Sequence, residues 1–321
     1  QKLYGGSLNQ FAKLFPDRFG WQSPTFNPTD PDSCKAVISD KTKAIFLEGL
    51  SNPEGIVADL EAFAKIAEDA GVPLIVDNTM ATPYLCKPKD FGANIVTYST
   101  TKFMSGHGNA MGGAIVDCGN FDWIKHGEKY PELGKPNEGY NGINFAETFG
   151  PAAFAIHNHA VGLRDIGCNQ QPMNAYLTFV GLETLALRME KHCSNALSLA
   201  TFLQSHDKVS FVNYAGLPDS PNHTNAKKYT KGQGGAVFTF GLKGGYDSGV
   251  KLIESVKLFS HLANIGDTRS LIIHPASTTH SQLDDDGKAK AGAGPEVIRL
   301  SIGIETYQDI ENDMAQALAQ V

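Results

Sequence analysis

A lysine at the carboxyl end of an apolar strand, with hydroxyls beside it, can hold an aldehyde as a Schiff base while the hydroxyls grip a phosphate. Residues 95–109 read that way. Ile95-Val96-Thr97-Tyr98 is a short apolar run, Ser99, Thr100 and Thr101 follow, and Lys102 precedes the glycine-rich turn Gly106-His107-Gly108-Asn109. Residues just past a strand's carboxyl end face the ligand crevice of an open α/β sheet. Asp77 closes the preceding apolar run and would open into the same crevice. Pyridoxal phosphate needs that pair, because the lysine holds its aldehyde and a carboxylate keeps its ring nitrogen protonated as an electron sink. Asn52, after a still earlier strand, is placed to hydrogen-bond the ring's phenolic oxygen, and Tyr4 to stack on the ring face. Taken singly these residues are ordinary: a solvated lysine, a cap or surface ion pair, a turn. Their succession at strand ends carries the reading.

The elements that must position them alternate. Ala44-Ile45-Phe46-Leu47-Glu48 reads as a strand and Ser51-Asn52-Pro53 as the loop after it. Asp59 can cap a helix with Leu60, Phe63, Ala64 and Ala67 at helical spacing, ended by Gly71. Pro73–Val76, Ile95–Tyr98 and Gly113–Val116 are further strands. Near-continuous apolar strands separated by helices mark a parallel sheet covered on both faces. Leu8–Leu14 reads as a short helix, and Pro31–Ile38 as another with Asp30 as its N-cap. Residues 122–144 are polar and glycine-rich, a long surface excursion. Residues 174–203 form a long helical pattern that bridges two domains. Beyond it, strands at Val209–Val212, Ala236–Phe240 and Val297–Ser301 and helices at Val250–Phe259 and Asp309–Leu318 suggest a smaller α+β domain. The expected fold is α/β: a mostly parallel sheet in a cofactor domain over residues 1–185, and a C-terminal α+β domain over residues 186–321.

Composition narrows the function. The chain of 321 residues is 41% hydrophobic, ordinary for a folded α/β protein. Net charge is −7, from 27 basic and 34 acidic residues, with no basic run, which speaks against nucleic acid or an anionic membrane as partner. No apolar run approaches the ~20 residues of a membrane span, and no signal peptide is visible. Cys34, Cys86, Cys118, Cys168 and Cys193 are scattered and odd in number, as expected of free thiols in a cytoplasm. The chain opens at Gln1 directly in Leu3-Tyr4-Gly5-Gly6-Ser7, so part of the biological N-terminus is expected upstream. Other chemistry fails on spacing. The glycines of residues 106–113 do not fit a dinucleotide loop, and His157-Asn158-His159 has no neighbouring acid or thiol for a zinc site. His107, His274 and His280 read as structural, no metal site is expected, and neither G-x-S-x-G nor H-E-x-x-H occurs.

With these residues assembled, the chain resembles the cystathionine γ-synthase-like family of fold-type I pyridoxal-phosphate enzymes, and within it the O-acetylhomoserine sulfhydrylases. The matching stretches are Tyr4–Phe11, Ser51-Asn52-Pro53, Val76–Thr79, Ser99–Lys102 with Gly106–Asn109, Gly181–Leu185, Gly266-Asp267, Ser270-Leu271, His274–His280 and Arg299–Glu305. They span nearly the whole chain in the family's order.

The resemblance implies a role for each position. Lys102 would carry the cofactor and later shuttle protons, Asp77 would pair with the pyridinium, and Asn52 would contact the phenolic oxygen and the substrate. Tyr4 would stack on the ring and assist the leaving group, and Ser99 and Thr101 would bind the phosphate. Arg299 would clamp the substrate carboxylate, with Ser270 in support. The implied reaction is γ-replacement: O-acetyl-L-homoserine and sulfide, or a thiol, give homocysteine, or a thioether, and acetate, in methionine biosynthesis. A methionine γ-lyase or cystathionine γ-synthase is the alternative, and Gly108-Asn109, where those relatives tend to have Ser-Asp, favours the sulfhydrylase. A non-catalytic relic of the fold is disfavoured by the intact Lys102, Asp77 and Arg299. The implied assembly is a homotetramer of dimers that share active sites. Against the family pattern the chain lacks an upstream segment, with its glycine loop for the phosphate and a tyrosine-arginine pair for the neighbouring subunit. Ser105 also replaces a common glycine, and residues 168–171 are unusually polar.

Overall fold

The structure, a computed structural model, describes residues 3–279, 281, 284, 288 and 292–321. Its first sheet has the order β1-β2-β3-β4, with β1 Ile45–Glu48, β2 Leu74–Asp77, β3 Ile95–Ser99 and β4 Gly113–Asp117. Strands β1, β2 and β3 are parallel, so their carboxyl ends share one edge. The helix Leu60–Ala70 crosses from β1 to β2; the Asp59 carboxylate accepts from the Ala62 N–H at its start, and Gly71 ends it at φ 61°. Leu60, Phe63, Ile66 and Ala67 are buried in the core with the strand residues. Asp30 likewise caps Pro31–Lys35, a shorter helix than expected.

Two expectations need correction. Strand β4 runs antiparallel to β3 and is mostly exposed, with Ile115 61% accessible. The link 100–112 contains no crossover helix, so the chain doubles back, as only an antiparallel pair allows. The polar stretch 122–144 is not only a surface excursion. It holds the ribbon β5 (Pro136–Asn137) and β6 (Ile143–Asn144), and Trp123, Leu133 and Phe145 bury against Ile95 in a small core of their own.

The bridging pattern is two helices, Pro172–Glu183 and Leu185–Gln204, parted at Thr184. The second contributes Leu185, Met189 and Cys193 to the core of the first sheet, then Ala196, Leu199, Ala200 and Leu203 to a separate core. That second core belongs to a sheet ordered β7-β8-β11-β10-β9: β7 Val209–Asn213, β8 Val237–Leu242, β9 Ser260–His261, β10 Leu271–Ile273 and β11 Val297–Ser301. It is antiparallel apart from the β10–β9 pair. The helices Gly245–Ser255 and Tyr307–Leu318 cover it, each starting earlier than the apolar pattern suggested. The helix Gly5–Asn9 continues through Gln10–Leu14 into Phe15–Phe19 and lies against β1, with the Phe11 ring tilted against Phe46 at 4.9 Å between centroids. Among the described residues, no helix is long and apolar enough to cross a membrane.

Candidate active site

Three successive strand ends build one side of the site. Glu48 of β1 is the register partner of Asp77 of β2, and Asp77 that of Thr97 of β3. The loop after β2 is pinned by Asn78, whose amide donates to Thr82 O, Cys86 O and the Tyr98 hydroxyl at 3.1, 2.9 and 3.2 Å. Thr79 N donates to Asp77 Oδ1 at 2.9 Å, and Thr79 Oγ1 accepts from Ser99 N at 2.8 Å, which ties the two loops together. Burial raises the Asp77 carboxyl above the usual carboxylate range, opposed by its bonds from Thr79. Among the described residues no cation is bonded to it.

Lys102 lies in the turn after β3, where Lys102 N donates to Ser99 O and Gly106 N to Lys102 O. Arg188 holds this turn from the bridging helix. Its guanidinium donates to Phe103 O (2.7 Å), Met104 O (3.3 Å) and Gly181 O (2.6 Å), and its Nε to Thr184 Oγ1 (3.2 Å). Gly106, at φ 76°, must stay glycine, since a Cβ there would lie 2.3 Å from Arg188 Nη1. Lys102 Nζ donates to Asn264 Oδ1, a neutral acceptor. Burial, then the nearby Arg299 charge, lowers its pKa, which makes a free amine more accessible than on an exposed lysine.

The second sheet supplies Arg299, in the middle of β11. Its Nη1 lies 3.4 Å from Asn52 Oδ1 and its Nη2 3.3 Å from Asn264 O, both neutral acceptors. Burial brings its pKa down to about 10. Asn52 is thus brought to Arg299 and, through its N–H, to Glu48. Tyr4 is 52% exposed, with its ring folded over Gly6, where a Cβ would meet Tyr4 Cε1 at 2.6 Å.

Two expected residues are placed differently from their assigned roles. Ser270 is fully buried, and Glu305 occupies it: Ser270 N donates to Glu305 Oε1 at 2.6 Å and its hydroxyl to Glu305 Oε2 at 2.9 Å. Its hydroxyl also accepts from Gly303 N at 2.9 Å, so its N–H and hydroxyl are engaged in bracing the end of β11. Thr101 Oγ1 is engaged with Gly112, accepting from its N–H at 3.0 Å and donating to its carbonyl at 3.3 Å. The Ser99 hydroxyl is left without a partner among the described residues.

His107 and His274 are structural as expected. His107 Nδ1 meets Ser105 O, and the buried His274 meets Ser277 Oγ and Pro295 O. His280 lies outside the described residues. No metal-holding cluster of His, Cys, Asp or Glu occurs among the described residues. Sequence reasoning missed Glu48, Asn264 and Arg188. Their signals are faint: Glu48 ends β1 as Asp77 ends β2, Asn264 stands two residues before Gly266-Asp267, and Arg188 follows the Gly181–Leu185 match.

These side chains fit pyridoxal phosphate. A buried carboxylate without a cation, an amine held only by a neutral amide, and a free hydroxyl at the neighbouring strand end are the complements of a ring nitrogen, an aldehyde and a phosphate. A family model described as Cys/Met metabolism PLP-dependent enzyme matches residues 1–319, and the chain belongs to that family of pyridoxal-phosphate-dependent enzymes. It is 47% identical over 317 residues to a homocysteine synthase of Schizosaccharomyces pombe, covering 98% of this chain and 74% of that protein. It is also 47% identical over 319 residues to O-acetyl-L-homoserine sulfhydrylase 1 of Thermus thermophilus, covering 99% and 75%. A solved structure from Campylobacter jejuni, assigned as an O-acetylhomoserine (thiol)-lyase and carrying N'-pyridoxyl-lysine-5'-monophosphate, superposes with a TM-score of 0.93 at 39% identity, covering 99% of this chain and 75% of that one. The fold is therefore that of the fold-type I pyridoxal-phosphate enzymes.

Proposed function

We propose that this chain converts O-acetyl-L-homoserine to L-homocysteine by γ-replacement in methionine biosynthesis, with sulfide, or a thiol, as the incoming nucleophile. The names of its relatives support the amino-acid substrate. The observation that carries the reading is that, among the described residues, Lys102 and Arg299 are bonded to neutral groups alone and no cation is bonded to Asp77.

Bound pyridoxal phosphate supplies a ring that withdraws electrons from the substrate's Cα once its nitrogen is protonated. Lys102 is the residue proposed to hold it, Asp77 to keep that nitrogen protonated, Ser99 and Thr101 to bind the phosphate, and Asn52 to meet the phenolic oxygen. Thr101 would do so through its backbone or by giving up Gly112. Arg299 clamps the substrate α-carboxylate with two parallel N–H bonds, which fixes Cα near Lys102. Once the substrate amine has displaced it, Lys102 Nζ, its pKa lowered by burial, would take the Cα proton, pass it on to the cofactor, and as a free amine again take a Cβ proton, both protons returning as product forms. Tyr4 covers the ring and assists departure of acetate from Cγ, where the sulfur nucleophile adds. Ser270 keeps only an indirect part, as a brace for β11.

The reading extends to two domains, 1–185 and 186–321, in a homotetramer of dimers that share active sites. The exposed apolar side chains Met111, Ile115, Tyr176, Phe179 and Leu187 support an assembly. Five free cysteines support a reducing, cytoplasmic setting. Product analysis with O-acetylhomoserine, with and without sulfide, tests the function. Homocysteine and acetate formed only with sulfide agree with it; release of a keto acid without sulfide would make the enzyme a γ-lyase. Borohydride reduction and peptide mapping should place the pyridoxyl group on Lys102, and a label on another lysine sinks that assignment.

A further inference from the structure

We propose that Glu48 is a positioning residue whose single buried carboxylate fixes the two side chains that flank the cofactor ring, Tyr4 and Asn52, by gripping their main-chain N–H groups. This rests on the functional reading above. Glu48 is only 7% exposed, at the carboxyl end of β1 and in register with Asp77. Its two oxygens divide the work. Oε1 accepts from Tyr4 N at 2.6 Å, and Oε2 accepts from Asn52 N at 3.1 Å. Among the described residues no side-chain cation pairs with it.

A carboxylate held this way satisfies donors that would otherwise face a nearly dry wall. The Tyr4 bond joins residues 44 positions apart in sequence. It ties the start of the N-terminal helical segment to the floor of the site, beside the Phe11–Phe46 contact that anchors the same segment farther along. The Asn52 bond closes the loop after β1, so that the Asn52 amide reaches Arg299. Tyr4 is otherwise half exposed and packed over a glycine, which constrains its ring little. A side chain that only filled space would need no charge here. Glutamate keeps two acceptors and no donor, and only the ionised acid accepts at both oxygens without a competing proton.

Glu48→Gln conserves the volume but turns one oxygen into a donor facing an N–H. Three measurements on purified protein test the proposal: pyridoxal phosphate affinity by fluorescence titration, visible circular dichroism of the bound cofactor, and amide hydrogen exchange of peptides spanning Tyr4 and Asn52 without cofactor. One lost bond of about 1.4 kcal/mol corresponds to a tenfold weaker cofactor affinity. The dichroic band should weaken and exchange should quicken at one or both amides, while peptides of β8 and β11 stay protected. A double-mutant cycle separates this role from general destabilisation. In a Tyr4→Ala, Asn52→Ala background Glu48→Gln should cost less than threefold, because the groups it positions are gone. Unchanged affinity and exchange in Glu48→Gln overturn the proposal, as does a tenfold loss that persists in the doubly substituted background. If the wild-type chain binds no pyridoxal phosphate at all, the functional reading fails, and the role of Glu48 falls with it.

Discussion

Arg299→Lys isolates what the guanidinium contributes beyond its charge. Among the described residues Arg299 hydrogen-bonds to Asn52 Oδ1 and Asn264 O, at 3.4 and 3.3 Å, long contacts to neutral atoms. Burial has already drawn its pKa down to about 10, because the buried guanidinium has lost much of its hydration. An arriving carboxylate recovers that loss, and a planar fork recovers it through two bonds at once. Lysine keeps the charge but makes one point contact. The missing charge-assisted bond is worth about 1.5–3 kcal/mol, so kcat/KM for O-acetylhomoserine should fall by roughly 10- to 150-fold, mostly in KM. Ser270 cannot compensate, because Glu305 holds both its N–H and its hydroxyl. Steady-state kinetics give the first readout and cofactor absorbance, expected unchanged, the second. A decarboxylated substrate analogue gives the third: wild type and Arg299→Lys should bind it alike. A loss under threefold, equal discrimination against the analogue, or loss of cofactor would each show that Arg299 is not the carboxylate clamp.

Asp77→Ala should leave the cofactor attached but slow Cα deprotonation strongly, read as solvent exchange of the substrate's Cα proton, with Asp77→Glu less harmed; near-native exchange in Asp77→Ala would mean another group protonates the ring nitrogen. Arg188→Met leaves the Phe103 and Met104 carbonyls of the Lys102 turn short of a donor, and at about 1–3 kcal/mol for each unsatisfied buried group, less the relief of an unpaired buried cation, the net loss should be roughly 1–4 kcal/mol; an unchanged denaturation midpoint would contradict this. His192, fully buried with its pKa pushed down to about 4 by burial, is neutral in the fold, so the unfolded chain binds the extra proton below its ordinary value near 6.5. Its stabilisation is present above pH ~6.5 and drains as pH falls towards 4, roughly 2 kcal/mol of it between pH 7 and 5, and His192→Gln should flatten that part of the stability–pH curve.

How far the site was legible depended on whether a residue's partner lay in its own stretch of chain. Lys102, Asp77 and Asn52 each end a buried apolar run, and in a parallel sheet that position alone aims a residue at the crevice. Arg299 entered only through the family resemblance; one cation in an apolar strand asks for an anion, but the strand alone does not say which. That Ser270 is already engaged was not legible, because a hydroxyl beside a strand gives no sign of whether its capacity is spent, and Glu305 reaches it only after the chain turns at Gly303. The direction of β4 was not legible in its apolar run, which looks like the others; the deciding feature is the missing helix between residues 100 and 112. Glu48 and Arg188 bond mainly to backbone groups of distant segments, and main-chain partners leave no trace in residue type.

The distribution of charge explains why such an arrangement can wait for its ligands without collapsing on itself. Lys102 and Arg299 are close enough for Arg299 to depress the lysine's pKa, yet no carboxylate is bonded to either among the described residues. Asn264 stands between them with both of its oxygens in use, the side-chain oxygen on Lys102 and the main-chain oxygen on Arg299. An acid at that position would pair with Lys102, whose ammonium the Asn264 side chain already meets, and would raise the lysine's pKa. An amide satisfies the donors and leaves the charge unspent. Glu48 and Asp77 are neighbours in register, and the Asp77 charge adds to the burial that lifts the Glu48 carboxyl to about 7. On the proposed reading a protonated ring nitrogen would complement Asp77 and a substrate carboxylate would complement Arg299, so the charges left without a counter-charge among the described residues are the ones that would orient both ligands.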